Sequence, residues 1–475
     1  MVKIAVRGAS ALVASILAAC AVGPDYHEPR VNVPAQFAEV SAPPYATTDP
    51  FARFGELFGD DRLSTLVKDA LTANHDLRIA LSRLNEARAL RGAARLDLGP
   101  TITAAGGYID QRLSQSEAGA TPRDREGYDA GFDAFWELDF FGRNRRALEA
   151  SNADLQAAEA GLLDARITVA AEIARSYFEL RGDQQRLAVA RRNVQNQGET
   201  LQLTRARLEG GTGTELDTSR ATAQLATTRA SIAPLEAAVA RAIHRISVLT
   251  GRQPDALRAQ LELPADLPAV PAMVPVGDPS RMLRRRPDIR VSERELAAST
   301  ARIGIAVADL FPRVTFTGSL GYSAASFDAL GNAGSGTHLI APGISWAAFD
   351  LGHVRARIAA ARAHNEGALA SYEQTVLRAL QETEDALVTH SRSRERLQQL
   401  TEAATASQTA AQLARLRFEN GAVDFLQVLD AERSLLEIQD NLARSRAETA
   451  TSLVAVYKAL GGGWLAPGPA TSQGG

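Results

Sequence analysis

Residues 207–225 read RLEGGTGTELDTSRATAQL and residues 417–435 read RFENGAVDFLQVLDAERSL. Each stretch carries a helix into a glycine turn and starts a second helix on its far side, so each is the tip of a helical hairpin. The two lie 210 residues apart, and the same spacing relates Trp136, Gly142, Arg207, Gly211 and Gly251 to Trp346, Gly352, Arg417, Gly421 and Gly461. Upstream the offset drifts slightly: Asp76 and Pro100 precede Asp288 and Pro312 by 212 residues, and Tyr108 precedes Tyr322 by 214. Two of only three tryptophans and the helix-breaking glycines therefore fall in register. One fold unit is used twice, and repeats of this kind share a continuous core.

Working back from the first tip, Ala147 to Leu208 contains no proline, and Ile173, Leu180, Leu187, Val194, Leu201 and Leu208 recur every seven residues. That period is a coiled-coil seam. At about 1.5 Å per residue the helix spans about 90 Å, far more than a small globular core needs. The return helix, about Thr214 to Thr250, repeats the period at Leu225, Ile232, Val239 and Ile246. It is much shorter than its partner, and a helix from Asp76 to Leu98, stopped ahead of Gly99-Pro100, supplies the missing length if the two stack end to end. The second copy repeats the plan with Asp288 to Asp309, Val354 to Arg417 and Phe425 to Leu460.

Between the short and long helices the period drops to two. In Asp129 to Phe140 the even positions are Ala130, Phe132, Ala134, Trp136, Leu138 and Phe140, whereas the odd ones include Asp129, Asp133, Glu137 and Asp139. The second copy alternates Val314, Phe316, Leu320 and Tyr322 with Arg313, Thr315, Thr317 and Ser319, and then places Ile340, Ile344 and Trp346 on one face. Such strands suit a membrane barrel, apolar toward lipid and polar toward a water-filled lumen, with Tyr108, Trp136, Tyr322 and Trp346 at the interfaces. Four strands per chain cannot close a barrel, and open edges are not tolerated in lipid, so the chain is expected to oligomerise. The four carboxylates Asp129, Asp133, Glu137 and Asp139 are expected to make the lumen acidic.

The N-terminus has the plan of an export signal: Lys3 and Arg7, an apolar run from Ala9 to Ala19, then small residues. Leu17-Ala18-Ala19-Cys20 resembles the lipobox of bacterial lipoproteins, which makes Cys20 the lipidated first residue of the mature chain, and Ala21 after it points to the outer membrane. As the only cysteine, Cys20 excludes an intrachain disulfide. Residues 20–61 begin as a Pro- and Ala-rich arm expected to lie over the surface, and residues 254–285 form a proline-rich linker between the copies, 62–253 and 286–460, with 461–475 as a tail. A net charge of -3 argues against a nucleic-acid partner. Seven scattered histidines show no ligand spacing, and Gly461-Gly462-Gly463 lacks the lysine of a phosphate loop. No cofactor, metal or enzymatic activity is expected.

These features together resemble the outer-membrane factors of tripartite efflux pumps and type I secretion systems, the TolC/OprM/NodT group. The resemblance rests on the lipobox, the two tip sequences and the closing YKALGGGW from Tyr457 to Trp464. It implies a mainly α fold with a transmembrane β part: a homotrimer in which long hairpins form an α-barrel and four strands per chain complete a twelve-stranded β-barrel. It also implies a periplasmic adaptor and an inner-membrane transporter as partners. Gly210, Gly211, Gly421 and Ala422 at the tips are expected to meet the adaptor. Leu426, Asp430 and Arg433, which match family positions at the periplasmic opening, are expected to form the gate. Phe51 to Phe58 stands where many members have a tryptophan pair. A secretion duct and a periplasmic adaptor lipoprotein are the alternatives, the latter disfavoured because adaptors resemble a single hairpin set in β-rich domains.

Overall fold

The structure, a computed structural model, describes residues 21–41, 45–46, 58–119 and 121–462. Cys20, the expected signal segment, Phe51 to Leu57 and Trp464 lie outside the described residues. Contacts divide the chain into two compact units, residues 1–30, 82–159 and 290–374 in one and residues 31–81, 160–289 and 375–475 in the other. Each unit draws on both copies.

The chain order is β1 (Tyr45–Ala46), α1 (Asp61–Ala73), α2 (His75–Leu96), β2 (Thr101–Arg112), β3 (Asp124–Leu138) and α3 (Arg143–Glu209). Then come α4 (Glu215–Ala230), α5 (Ile232–Leu249), β4 (Val274–Pro275), α6 (Pro279–Arg285), α7 (Pro287–Ala308), β5 (Arg313–Ala324), β6 (Gly336–Ser345), α8 (Leu351–Glu419) and α9 (Phe425–Ala459).

The first unit is built on one antiparallel sheet of order β2-β3-β5-β6. Registers run from Thr101↔Phe135 to Arg112↔Asp124, from Leu138↔Val314 to Tyr128↔Ala324, and from Arg313↔Ser345 to Tyr322↔Gly336. β3 therefore starts at Asp124, earlier than the alternation suggests. It also stops at Leu138, so Asp139 and Phe140 are not strand residues.

The second unit holds the main core. α1 starts where the Asp60 carboxylate accepts from the Leu63 backbone N–H, and it buries Leu63, Leu66, Val67 and Ala70, one face of a helix. These pack with Tyr177, Phe178 and Leu180 of α3, Ile246 of α5 and Tyr457 of α9. The arm is more than a surface cover: Phe37 and Tyr45 are core residues, Tyr45 donates to the Leu387 carbonyl at 2.6 Å, and β1 pairs in parallel with β4 of the linker.

The end-to-end stacking of short and return helices is present in both copies. Asn74 donates from Nδ2 to the Leu249 carbonyl at 2.9 Å, and its Oδ1 accepts from the N–H groups of Asp76 and Leu77, capping α2. Arg286, the residue equivalent to Asn74, donates to the Ala459 carbonyl at 3.0 Å and pairs with Asp288 and Glu382. The first return helix differs from expectation. It is broken at Ser231 into α4 and α5, because Pro234 has no N–H to bond back into the preceding turn, whereas α9 carries Arg444 there and is continuous.

Candidate channel surfaces

One face of the sheet carries Ile102, Tyr108, Phe132, Trp136, Phe316, Leu320, Tyr322, Ile340 and Ile344, placed side by side by the registers. Apart from the half-covered Phe316, these side chains are exposed; Leu320, Ile340 and Ile344 are 68%, 69% and 76% accessible. A soluble sheet covers such a face; this one is left open over its whole width. The aromatics fall into two bands. Tyr108 packs on Tyr128, and Tyr128 on Phe327, toward the loop ends of the strands, while Trp136 and Trp346 stand at the helix-facing ends. Each tryptophan donates its indole N–H to a carbonyl at the end of the preceding short helix, Leu98 and Leu310, both at 3.0 Å. The same bond in both copies fixes each strand end against its helix.

The opposite face carries Thr101, Thr103, Asp129, Asp133, Thr315, Thr317, Ser319 and Ser323, with Ile109, Phe135 and Leu339 as apolar exceptions. Asp129 and Asp133 are exposed on it. Glu137 shares the face but lies 3.7 Å from the Arg143 guanidinium. Asp139 does not belong to it. Beyond the strand end, its carboxylate accepts from the backbone N–H groups of Asn144 and Arg145 and pairs with Arg145, capping the start of α3. The acidic face expected from alternation thus reduces to Asp129 and Asp133, because two arginines neutralise the other pair. Alternation could not reveal the strand end; the RNRR run from Arg143 was its signal.

The two tips are built alike. Gly211 and Gly421 each have φ of +73°, a left-handed turn open to glycine, and the residues after them, Thr212 and Ala422, donate to the Arg207 and Arg417 carbonyls at 2.9 and 2.8 Å. The restarts are capped by Thr214 and Asp424. Gly210, Gly211, Gly421 and Ala422 are exposed. Beneath them Leu201, Ala221, Leu225, Phe418, Phe425 and Val428 form a small core shared by the two hairpins. Arg207, which sequence reading used only as a repeat marker, ties the tips: it donates to the Phe418 carbonyl at 2.7 Å and lies 4.4 Å over that ring.

Leu426, Asp430 and Arg433 share one face of α9 at helical spacing, all exposed. Among the described residues neither Asp430 nor Arg433 forms an ion pair within the chain. The neighbouring Glu432 is turned inward, hydrogen-bonded by the Thr200 hydroxyl at 2.8 Å, and burial raises its pKa against the opposing effect of that bond. Among the described residues no group of three or more His, Cys, Asp and Glu could hold a metal ion.

The sequence matches the family described as outer membrane efflux protein over residues 66–252 and 279–462, one match per copy. The chain belongs to that family. It is 34% identical over 466 residues to the antibiotic efflux pump outer membrane protein ArpC of Pseudomonas putida, covering 96% of this chain and 95% of that one. With the cation efflux system protein CusC of Escherichia coli it shares 30% identity over 453 residues, covering 95% and 98%. Its fold is similar to the solved outer-membrane channel OprN, with a TM-score of 0.88 and 44% identity over 94% of this chain and 100% of that one. As a member of this family the chain is an outer-membrane efflux channel of Gram-negative type, a duplicated helical barrel fold with a strand part.

Proposed function

We propose that three copies join their sheets edge to edge into one twelve-stranded barrel and their hairpins into a periplasmic tunnel, forming the passive exit duct of a tripartite efflux pump. The observation that carries this reading is the sheet itself: β2 and β6 have no outer strand partner among the described residues, while a broad apolar face stands open. Unpaired edges are untenable in lipid, and three sets of four strands close without an edge. In this arrangement the apolar face with its two aromatic bands meets lipid, and Asp129 and Asp133 line the lumen and favour cations.

Acylation of Cys20 adds an anchor to the outer membrane. The exposed tip residues Gly210, Gly211, Gly421 and Ala422 offer close backbone approach to a periplasmic adaptor, which links the duct to an inner-membrane transporter. Leu426, Asp430 and Arg433 narrow the opening between protomers; since Asp430 and Arg433 pair with no ion among the described residues of their own chain, their contacts are available to neighbouring copies. Exposed pairs of this kind contribute about 0 to 1 kcal/mol each, weak enough for partners to open. Native mass spectrometry of the detergent-extracted protein tests the assembly: a mass of three acylated chains is expected, and a stable monomer in the outer-membrane fraction would refute it.

A further inference from the structure

The start of the mature chain is held by a buried guanidinium. Arg146, on the first turn of α3, has a side chain only 5% exposed. Its Nε donates to the Val22 carbonyl at 3.1 Å, and its Nη2 reaches the Ala21 and Gly23 carbonyls at 3.3 and 3.4 Å and the Asp25 carboxylate at 2.7 Å. Nη1 is bound by Glu149 at 2.7 Å, and the Val22 N–H donates to the Phe141 carbonyl at 3.1 Å. Glycines let the backbones close around it. A Cβ on Gly142 would stand 2.5 Å from Ala21, one on Gly23 2.5 Å from the Gly304 Cα, and one on Gly304 2.8 Å from the Arg146 side chain.

The duplication supplies an internal control. The equivalents of Gly142, Gly304 and Arg146 in the other copy are Gly352, Gly92 and Ala356. Both of those glycines face open space, and alanine replaces the guanidinium. The glycines recur, but among the described residues only the site with Arg146 holds a chain. A planar fork with five donors suits a row of carbonyls and a carboxylate in a way that a point charge does not.

We propose that Arg146, Gly142, Gly23 and Gly304 form a docking cradle for residues 21–25 that fixes where the N-terminal anchor leaves the body of the protein, at the junction of β3 and α3. Arg146 is a positioning residue: it touches the segment after Cys20 and acts on the lipid only through it. Cys20 directly precedes Ala21 in the sequence, so a site that seats Ala21 acts one residue from the acylation site. The proposal rests on acylation of Cys20 for its purpose, but the cradle itself does not require the lipid.

The test is a nitroxide on Pro24→Cys, an exposed position inside the segment, read by electron paramagnetic resonance on the full-length trimer, with metabolic acyl labelling in parallel. In the parent the label is immobilised. Arg146→Gln and Gly304→Val each shift the spectrum to a fast component with a correlation time about tenfold shorter, typical of a free terminus, while Gly92→Val and Ala356→Gln leave it unchanged. Cys20→Ser also leaves it immobilised and abolishes acyl label. Continued immobilisation in both Arg146→Gln and Gly304→Val overturns the cradle, as does release of the label by Cys20→Ser alone, which would mean that the lipid holds the segment. Absence of acyl label in the parent with an intact cradle response would instead remove the lipidation reading.

Discussion

The two copies of the repeat differ most where they would be expected to agree least: not in the fold-building bonds but in single side chains set on a common frame. The indole bonds of Trp136 and Trp346 and the turns at Gly211 and Gly421 are the same in both. Residue 74 or 286 bonds the end of the return helix in each copy, through a carboxamide in one and a guanidinium in the other. The copies part company at Arg146 against Ala356, at Pro234 against Arg444, and at Leu180 against His390. Bonds kept by both copies build the channel unit; side chains found in one copy assign that copy a separate task or cost.

The largest effect in breaking this comparison is expected at Arg286, which is buried and binds Asp288, Glu382 and the Ala459 carbonyl together. Arg286→Met strands two carboxylates and a helix end, for a loss of about 3 kcal/mol after allowing for the exposed Glu382. Asn74→Ala at the equivalent place removes a cap and one carbonyl bond, about 1 to 2 kcal/mol. Chemical denaturation of the two variants in detergent should rank them in that order.

His390 is next. It is fully buried where the first copy has Leu180; its Nδ1 meets the Ser452 hydroxyl at 3.0 Å and its Nε2 has no hydrogen-bond partner among the described residues. Burial, and then the nearby Arg394, lower its pKa from 6.5 to about 4. The folded state therefore binds fewer protons than the unfolded one between those values. Stability is complete above about pH 6.5 and declines as pH falls toward 4, by about 3 kcal/mol from this group. His390→Leu, which restores the residue of the first copy, should flatten that part of the pH profile of the melting temperature; an unchanged slope would show that other groups set it.

Equivalent glycines give a smaller and sign-changing contrast. Gly142 has φ of +79° and no room for a Cβ, whereas Gly352 lies in a helix with open space around it. Gly142→Ala should destabilise by about 2 kcal/mol, and Gly352→Ala should stabilise by about 0.5 to 1 kcal/mol. Two melting curves decide this. The smallest effect on stability, below about 1 kcal/mol, is expected for the double change Asp430→Ala and Arg433→Ala, yet it should raise single-channel conductance and sensitivity to bulky antibiotics. Unchanged conductance in an assembled trimer would remove these residues from the gate.

Periodicity made most of this legible. Seven-residue spacing located α3, the 210-residue repeat carried that helix over to α8, and two-residue spacing located β3, β5 and β6, because a long helix seam and a lipid-facing strand leave their period in sequence. What escaped was whatever depends on contacts distant in sequence. Phe37 and Tyr45 sit in a stretch without period, and nothing local marks them as core. Arg146 lies in RNRR beside Arg143 and Arg145, and only residues more than 120 positions away distinguish it from a solvated charge. Asp139 continued the strand alternation past the strand end, where a helix needs a cap. Pro234 lies inside the heptad pattern of the return helix, and the unbroken period carries the expected helix straight through it, whereas the proline divides it.

The central claim, that β2 of one copy pairs with β6 of the next, is open to a direct measurement. Thr103 on β2 and Thr337, Leu339, Ala341 and Gly343 on β6 all point to the polar face. Cysteine at Thr103 is combined in turn with cysteine at each of the four, and oxidised in intact membranes. Disulfide-linked dimers and trimers on denaturing gels, strongest for one register and absent for the single cysteines, are the predicted result. Monomers alone at every register would contradict closure of the barrel by three copies.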